Sequence, residues 1–361
     1  MDAEPQGGEI RIGARPLSDC VTAIFAASGS DAREAAIVAD HLVEANLLGH
    51  DSHGVIRVAK YVGWVRDGLL LVNRHAEIVS ERGAIVVVDG GFGYGQVIGR
   101  EAMTIAAERA RSHGMAALAI RNSGHLGRIG AWPEQLAAEG LVSVHYVNTS
   151  GFGILVAPHG GSDRRLSANP IGAGVPIPGR PPAILDIATS STAEGKIQVA
   201  RNKGASIPAG HLIDGTGRPT TEPAAFYAEP PGAILPFGGH KGSGLSFFCE
   251  VLAGALSGGG SSHPRNPTAK RLVNNMLTLA FEPSAFGDDG VFARDIERLV
   301  AWVKSSPPAV KGGEVLLPGE IELQTRAERE SAGIPLDAET RRQIAGAARR
   351  LGVAVPSEIG G

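Results

Sequence analysis

The stretch AIVVVDGGFGYGQVIG, residues 84–99, decides the class of fold. Its β-branched run predicts a buried strand over 84–89, and the residues after the glycines predict a helix over 96–112, ended by Gly114. A Rossmann turn requires G-x-G-x-x-G and a ribose-binding acid about 20 residues later. Here the spacing is Gly91-x-Gly93-x-Gly95, position 96 is Gln, and residues 111–115 contain no acid. The stretch therefore predicts an α/β core that is not a Rossmann domain.

The pattern continues on both sides of this stretch. Strands alternating with helices are typical of a layered α/β core, whereas the two chain ends read as helical. We expect a helical lobe from both termini, with divisions at 1–75, 76–287 and 288–361. The predicted strands are 116–120, 141–147, 183–187 and 276–281; the predicted helices are 17–27, 31–48, 54–67, 130–139 and 241–256, with more helix from 295 onward.

Composition excludes several classes of protein. Net charge is −3 and the basic residues are scattered, so the chain lacks the electrostatic footprint of a nucleic-acid binder. Two cysteines far apart in sequence do not suggest a disulfide framework. The first ten residues lack the apolar core of a signal peptide, and no apolar run approaches the roughly 20 residues of a membrane span. We therefore expect a cytoplasmic protein with no membrane or nucleic-acid partner.

His53, Arg57 and Tyr61 form the sharpest local pattern, and Ser52 directly precedes His53. On the helix predicted over 54–67, the spacing i, i+4, i+8 would place them on one face. Arginine offers a planar fork for a carboxylate, and histidine can move the proton of a hydroxyl near neutral pH. The set suits a 2-hydroxy acid; the alternative interpretation is a solvated polar face. His50 and His53 lack a second His or Cys pair, so we expect no metal site.

Polar loops follow three of the predicted strands. His125 lies in the first loop and competes with His53 for the acid–base role. Asn148 and Thr149 open the second loop, and the third follows the strand predicted over 183–187. If these strands run in parallel, their ends share one cleft. The segment 238–244, GGHKGSG, does not match a P-loop, but it precedes a helix whose N-terminus could hold a phosphate; close packing is the alternative.

Together the motifs resemble the second, non-Rossmann family of malate/L-lactate dehydrogenases, and most of all its hydroxycarboxylate dehydrogenase branch. The resemblance spans roughly residues 45 to 322. The usual T-N-P is here Ala168-Asn169-Pro170, so a Thr hydroxyl is missing. The stretches that carry the resemblance are GHDSHGVIRVAKYV, NSGHLGRIG, SANPIGAGVP, LDIATSSTAEGKI, IPAGHLIDGTGRPTTEP, LPFGGHKGSGLSFFCEVLAGALSG and LLPGE.

The resemblance implies a three-layer α/β/α core with a mixed sheet and a homodimer or larger homo-oligomer. It also implies a substrate pocket lined by Ser52, Arg57 and Tyr61, with Asn148 and Thr149 as further candidates, and His53 or His125 as the acid–base residue. The residues that would contact the dinucleotide are His53, Gly127, Arg128, Ile129, Asp186, Ile187, Ala188, Thr189, Ser190, His240, Lys241, Gly319 and Glu320.

These observations predict an enzyme that transfers a hydride between NAD or NADP and a small 2-hydroxy acid such as malate, lactate or a hydroxyphenylpyruvate-like acid. One alternative is a reductase of cyclic imino acids such as pyrroline- or piperideine-2-carboxylate. An alternative of another class is a non-catalytic cofactor-binding protein or a hydrolase, although a hydrolase would need an activated nucleophile or metal cluster that the sequence does not display.

Overall fold

The computed structural model describes residues 10–266 and 270–360, without the side chains of residues 202, 203 and 289. The helices are α1 Ala14–Ala27, α2 Ala32–Leu47, α3 Val58–Arg66, α4 Gly95–His113, α5 Ala131–Ala138, α6 Glu194–Lys203, α7 Pro223–Phe226, α8 His240–Cys249, α9 Asp289–Lys304, α10 Glu320–Ala332, α11 Ala338–Arg350 and α12 Ser357–Gly360. The strands are β1 Ile10–Ile12, β2 Glu77–Arg82, β3 Ile85–Asp89, β4 Met115–Ser123, β5 Val142–Gly151, β6 Pro170–Ile177, β7 Arg180–Ala188, β8 Leu212–Ile213, β9 Pro219–Thr220, β10 Ala233–Ile234, β11 Leu272–Phe281 and β12 Ile334–Leu336.

A seven-stranded mixed sheet forms the centre, in the order β2-β3-β4-β11-β5-β6-β7. Strands β3, β4, β5 and β7 run in one direction, and β2, β11 and β6 run against them. The three loops expected to share a cleft therefore do leave the same edge of the sheet. They are not parallel neighbours, however, because β11 and β6 lie between the strands that carry them.

Helices cover both faces of the sheet, which confirms the three-layer α/β/α core. Leu118 and Ile120 of β4 point to one face and pack into a core cluster with Met103 of α4 and Trp132 of α5. On the opposite face lie α8 and a π-helical segment, Glu250–Ala255, that continues it. The single helix predicted over 241–256 thus changes its winding midway.

The helical lobe is built from both ends of the chain, as predicted. Leu17 and Phe25 of α1 share one hydrophobic cluster with Leu42 of α2 and with Ile344 and Ala348 of α11. Burying apolar area of this kind stabilises by roughly 25 cal/mol per Å². Tyr94 and Val97 of the α/β core belong to the same cluster, and α9 lies against β6 instead of the lobe. The divisions at 75 and 287 stay a prediction.

The helix predicted over 54–67 is wrong in its first turns. Two 3-10 turns, Asp51–His53 and Val55–Arg57, precede α3. Gly54 between them is extended, and Val55 donates its N–H to Oδ1 of Asn46, 2.8 Å away. A Cβ at Gly54 would lie 2.2 Å from that oxygen. Because Gly54 is extended at this contact with Asn46, the winding is interrupted and the regular i, i+4, i+8 face does not form.

Candidate active site

Two histidine rings lie face to face between the helical lobe and the sheet. The rings of His53 and His125 are nearly parallel, at 9°, with centroids 5.5 Å apart. His53 ends the first 3-10 turn, and His125 lies in the loop after β4. The two acid–base candidates from the sequence are therefore part of one site.

The glycine-rich segment after β3 holds the His125 loop in place. Gly124 donates its N–H to the carbonyl oxygen of Gly93 at 2.8 Å. A Cβ at Gly95 would lie 2.3 Å from the carbonyl oxygen of His125. Only glycine therefore allows the two backbones to approach this closely. Leu126 donates its N–H to Oδ1 of Asn274 at 2.9 Å. The unusual glycine spacing thus brings the start of α4 against a site loop.

Tyr61 orients the ring of His125. The Tyr61 hydroxyl lies 2.6 Å from Nδ1 of His125, and it accepts a hydrogen bond from Nε2 of Gln96 at 3.0 Å. Gln96 is 1% exposed. Sequence reasoning missed Gln96 as a site residue, since only the fold brings α4 to the Tyr61 hydroxyl.

Ser52 and Arg57 complete the wall beside His53. The Ser52 hydroxyl lies 3.0 Å from Nδ1 of His53, and Nε of Arg57 donates to the carbonyl oxygen of Ser52 at 2.6 Å. That bond fixes the guanidinium while its two terminal nitrogens have no hydrogen-bond partner among the described residues. They are free to grip a planar anion.

A residue of α10 secures this wall from the far end of the chain. Arg329 donates to Oδ1 of Asp51 at 2.6 Å, to Oδ2 at 3.0 Å and to the carbonyl oxygen of Asn46 at 2.5 Å. The 3-10 turn that presents Ser52 and His53 is thereby tied to the C-terminal region.

Burial keeps both histidines neutral. It lowers the pKa of His53 to about 3, with the positive charge of Arg57 as the second cause. The same two causes hold the pKa of His125 well below its usual value. Burial also raises the pKa of Tyr61 to about 12, so its hydroxyl remains a phenol. The site can therefore accept or donate single hydrogen bonds without carrying charge on these three groups.

A cavity of about 370 Å³ adjoins this site. It is lined by Arg128, Asp186 and Gly319, from three segments that the sequence assigned to the dinucleotide, and by His50 of the turn that bears His53. Oδ2 of Asp186 accepts the N–H of Gly130 at 2.7 Å, and Ile184 donates its N–H to the carbonyl oxygen of Pro318 at 3.0 Å. These contacts bring β7, the loop after β4 and the start of α10 together.

The other proposed cofactor residues are spread along the same edge. Gly127 packs on His41, where a Cβ would lie 2.2 Å from Nε2, and Ile129 is buried in the core. Ile187 and Ala188 end β7 in register with β6. Glu320 pairs with Lys304 at 2.5 Å and accepts the N–H of Leu317.

The turn after β7 meets the start of α8. The carbonyl oxygen of Thr189 accepts the N–H of Phe237 at 3.0 Å, and Ser190 forms a bridge with Pro236. The Thr189 hydroxyl is buried yet has no hydrogen-bond partner among the described residues. His240 and Lys241 are exposed at the first turn of α8.

Asn148 and Thr149 lie within strand β5, so the prediction that they open a loop after it is wrong. Asn148 is fully buried, donates to Oε2 of Glu250 at 3.0 Å and accepts from Asn275 at 2.9 Å. The Thr149 hydroxyl accepts from Nδ2 of Asn274, the residue that also holds Leu126. The two side chains support the floor beneath the His125 loop, and the hydrogen bonds of Asn148 are already taken.

Between residues 10 and 266 and between 270 and 360, His, Cys, Asp and Glu side chains do not gather in a group of three that could hold a metal ion. Helices within the same ranges are too short or too polar to cross a bilayer.

Comparison with known proteins agrees with this geometry. Hydroxycarboxylate dehydrogenase B of Escherichia coli is 44% identical over 345 residues, which make up 95% of this chain and 95% of that protein. An E. coli structure described as a malate/lactate dehydrogenase superposes with a TM-score of 0.90 at 44% identity, covering 97% of each chain. Δ1-piperideine-2-carboxylate reductase of Pseudomonas syringae superposes with a TM-score of 0.82 at 31% identity, covering 94% of this chain and 100% of that one.

A family model described as malate/L-lactate dehydrogenase matches residues 12–345. With that match and these relatives, the chain belongs to the malate/L-lactate dehydrogenase family, as an oxidoreductase that acts on CH–OH donors.

Proposed function

We propose that this protein interconverts a small 2-hydroxy acid and its 2-oxo acid by hydride transfer with NAD or NADP. One observation carries the proposal. An imidazole oriented at Nδ1 by Tyr61 lies beside a guanidinium whose two terminal nitrogens have no partner among the described residues. A carboxylate next to a reacting C–O group needs these two functions side by side, a fork for the anion and a proton carrier for the oxygen.

We assign the anion to Arg57 and the proton to His125. Because Tyr61 occupies Nδ1, the nitrogen left for substrate is Nε2 of His125. His53, held at Nδ1 by Ser52, packs against the other ring and encloses the substrate. In oxidation, Nε2 takes the hydroxyl proton; in reduction, it returns the proton. A carboxylate on Arg57 offsets the charge that now depresses the pKa of His125, and so favours protonation of the ring.

The residues around the 370 Å³ cavity fit a dinucleotide. The Asp186 carboxylate can accept ribose hydroxyls, and the unpartnered Thr189 hydroxyl lies on the same sheet edge. Arg128 is buried and paired with Glu134 through both terminal nitrogens, and we assign it to the wall of the cofactor cavity. The nicotinamide ring would supply the hydride chemistry when bound. We further assign cofactor contacts to His53, Gly127, Ile129, Ile187, Ala188, Ser190, His240, Lys241, Gly319 and Glu320, and supporting roles to Asn148 and Thr149.

The test is the change in nicotinamide absorbance with a panel of substrates. Oxaloacetate, pyruvate, hydroxyphenylpyruvate and one cyclic imine would each be mixed with NADH and with NADPH. Turnover of an oxo acid supports the proposal and identifies both substrate and cofactor. Absence of turnover together with absence of cofactor binding would exclude it.

Reduction of a cyclic imino acid is the second candidate. The likeness to the Pseudomonas reductase favours it, and Arg57 would hold the carboxylate in the same way. Turnover of the imine, with no turnover of any oxo acid in the same panel, would establish this candidate.

We also propose a homo-oligomer and a cytoplasmic location. Phe247 and Phe248 of α8 are 60% and 57% exposed, and Leu256 nearby is 66% exposed, which suits a face that a second copy covers. Cys20 and Cys249 are both buried and unpaired, as is common in reducing compartments. Light scattering would give the mass of the assembly.

A further inference from the structure

The hydrogen bonds of Gln96, Tyr61 and His125 form a short chain whose direction matters. As arranged, Nε2 of Gln96 donates to the Tyr61 oxygen at 3.0 Å. The other neighbour of the Tyr61 hydroxyl is Nδ1 of His125 at 2.6 Å, and the Tyr61 O–H donates to it when that nitrogen is unprotonated. A neutral imidazole that accepts at Nδ1 carries its proton on Nε2. In this direction His125 presents a donor to substrate and cannot act as a base.

The acid–base step requires the opposite direction. To take a proton from a hydroxyl, Nε2 must be unprotonated, so the neutral ring carries its proton on Nδ1. The resulting imidazolium also carries a proton on Nδ1. In both forms Nδ1 donates to the Tyr61 oxygen, and the Tyr61 O–H needs a new acceptor.

Gln96 can supply that acceptor. Its Oε1 is buried and has no hydrogen-bond partner among the described residues. A half-turn of the amide about its last side-chain bond exchanges the donor for the acceptor, and an amide is a side chain that offers both. An unsatisfied acceptor in a site this buried is unfavourable, which argues for a use of that oxygen.

We propose that Gln96 is a positioning residue for the acid–base step: by turning its amide, it sets the direction of the Gln96–Tyr61–His125 chain and so decides whether Nε2 of His125 donates or accepts. This inference rests on the proposed function, because it assigns the proton transfer to His125. Reversing the direction exchanges one neutral tautomer of His125 for the other: the ring releases its Nε2 proton to water and takes a proton from water at Nδ1, while Tyr61 stays a phenol. In oxidation, the hydroxyl proton moves to Nε2 while the C–H bond breaks and its electron pair leaves as hydride to the nicotinamide; reduction reverses both.

The charges around His125 explain why such a device is needed. The groups that face the ring are His41 from α2, His53 and Arg57 from the 3-10 turns, and Lys60 and Tyr61 from α3. The positive charges of Arg57 and Lys60 oppose protonation of the imidazole. On the side of the ring away from the substrate, Oε1 of Gln96 can accept the Tyr61 O–H, and Tyr61 can then accept the Nδ1 proton of His125.

Two substitutions of Gln96 test the proposal in opposite directions. Gln96→Leu removes donor and acceptor, and we expect kcat to fall about tenfold or more in both reaction directions. Gln96→Glu provides an ionised carboxylate that only accepts, so we expect the apparent pKa in the kcat/KM profile to rise by about one unit. Gln343→Leu, on the exposed face of α11, is the matched control and should leave the profile unchanged.

Tyr61→Phe separates positioning from a general structural effect. If the two residues act as one chain, Gln96→Leu combined with Tyr61→Phe should be no slower than the worse single variant. Losses that multiply would overturn the proposal, as would a wild-type pH profile in both Gln96 variants. Melting temperatures identify any variant that is merely unfolded.

A readout without turnover distinguishes this proposal from the proposed function. In protein labelled with ¹⁵N-histidine, the His125 signals, identified by their loss in His125→Gln, report which ring nitrogen is protonated. We expect Gln96→Glu to shift the population toward the Nδ1-protonated forms. An unchanged tautomer would overturn the role of Gln96 even in an active enzyme, whereas a shifted tautomer in a protein that reduces no oxo acid would contradict the proposed function alone.

Discussion

Arg57 illustrates how a single hydrogen bond prepares a side chain for binding. Its Nε is committed to the Ser52 carbonyl oxygen, so the planar end is held in place before an anion arrives. Holding a fork in advance reduces the entropy that binding must overcome.

Replacing Arg57 should therefore weaken substrate binding strongly. A hydrogen bond to a charged group is worth about 1.5–3 kcal/mol, so we expect Arg57→Ala to raise KM for the oxo acid by about 10- to 100-fold. Arg57→Lys should recover only part of the loss, since a point charge cannot bind two oxygens at once. Arg66→Ala is the matched control, because this exposed residue of α3 pairs with Asp67 and with no other residue in the described part of the chain. An unchanged KM would remove Arg57 from the pocket.

The two stacked histidines should respond differently to substitution. We expect His125→Ala to lower kcat by about 100-fold or more, the usual size of a lost acid–base group. His53→Ala should raise KM and change kcat less, since that ring encloses the substrate in our assignment. Steady-state kinetics of both variants, with exposed His113→Ala as control, measure the difference. If the kcat of His53→Ala falls further, the roles are exchanged; if both variants retain kcat, the proton chemistry is wrong.

Residue types in the site could be predicted from the sequence more easily than their partners. His53, Arg57, Tyr61 and His125 are side chains whose chemistry suits a hydroxy acid, and the structure brings them together. Gln96 gave no such signal, because glutamine is common and its contact with Tyr61 crosses 35 residues of sequence. Only folding reveals contacts of that kind.

At the scale of elements, the segment from β3 to α4 both connects the strand to the helix and supports the His125 loop. The close approach of Gly95 to the backbone of His125 makes the start of α4 a support for the site loop. The sequence predicted the strand, the helix and the absence of a Rossmann turn. It could not show why Gly95 is a glycine, because the reason is the contact of Gly95 with the His125 loop.

Gly95→Ala should therefore disturb both stability and catalysis. The added Cβ would meet the carbonyl oxygen of His125 and Cα of Leu126, at 2.3 and 2.7 Å, and backbone cannot yield easily. Overpacking of this kind costs about 1–3 kcal/mol, and we expect kcat to fall with it as His125 moves. In Gly63→Ala, the new Cβ meets nothing within 4 Å inside α3, so this control should gain about 0.5–1 kcal/mol of stability. Urea unfolding of the two variants measures both effects, and equal stabilities would contradict the close approach.

The turns before α3 show where periodicity misleads. Residues 54–67 have a helical pattern, yet Asn46 of α2 captures the N–H of Val55 and Gly54 becomes extended. A side chain eight residues upstream of Gly54 thus overrides the local preference. Strands β2 and β6 were missed because their own sequences hide them. Strand β2 is exposed along its length, and β6 contains two prolines and two glycines.

At the scale of the whole molecule, buried histidines make the fold sensitive to acid. Burial lowers the pKa of His41, His53 and His145 to about 3. Below a pH near 6.5 the unfolded chain binds protons at these positions while the folded chain does not. The free energy of unfolding should therefore fall as the pH drops from about 6.5 toward 3. Above pH 6.5 these histidines should no longer lower it.

His145 offers a clean test of this behaviour because it lies in the sheet, away from the site. Each such group contributes a slope of about 1.4 kcal/mol per pH unit within the window. We expect His145→Gln to remove one group's share of the slope, measured by urea unfolding between pH 4 and 7, even if the variant is less stable overall. The exposed His113→Gln should leave the slope unchanged. A slope unaffected by His145→Gln would mean that its protonation is not linked to unfolding.

The tie between Arg329 and Asp51 has a consequence for how the enzyme comes into being. The two residues are 278 positions apart, so the ribosome completes the histidine pair, the arginine fork and the central sheet well before it adds the residue that fastens their turn. During that interval Asn46 already holds Asp51 and Val55, so Arg329 adds the last contact on the turn that presents Ser52 and His53. We therefore expect a chain released before α10 to keep its reacting groups but to hold that turn less firmly.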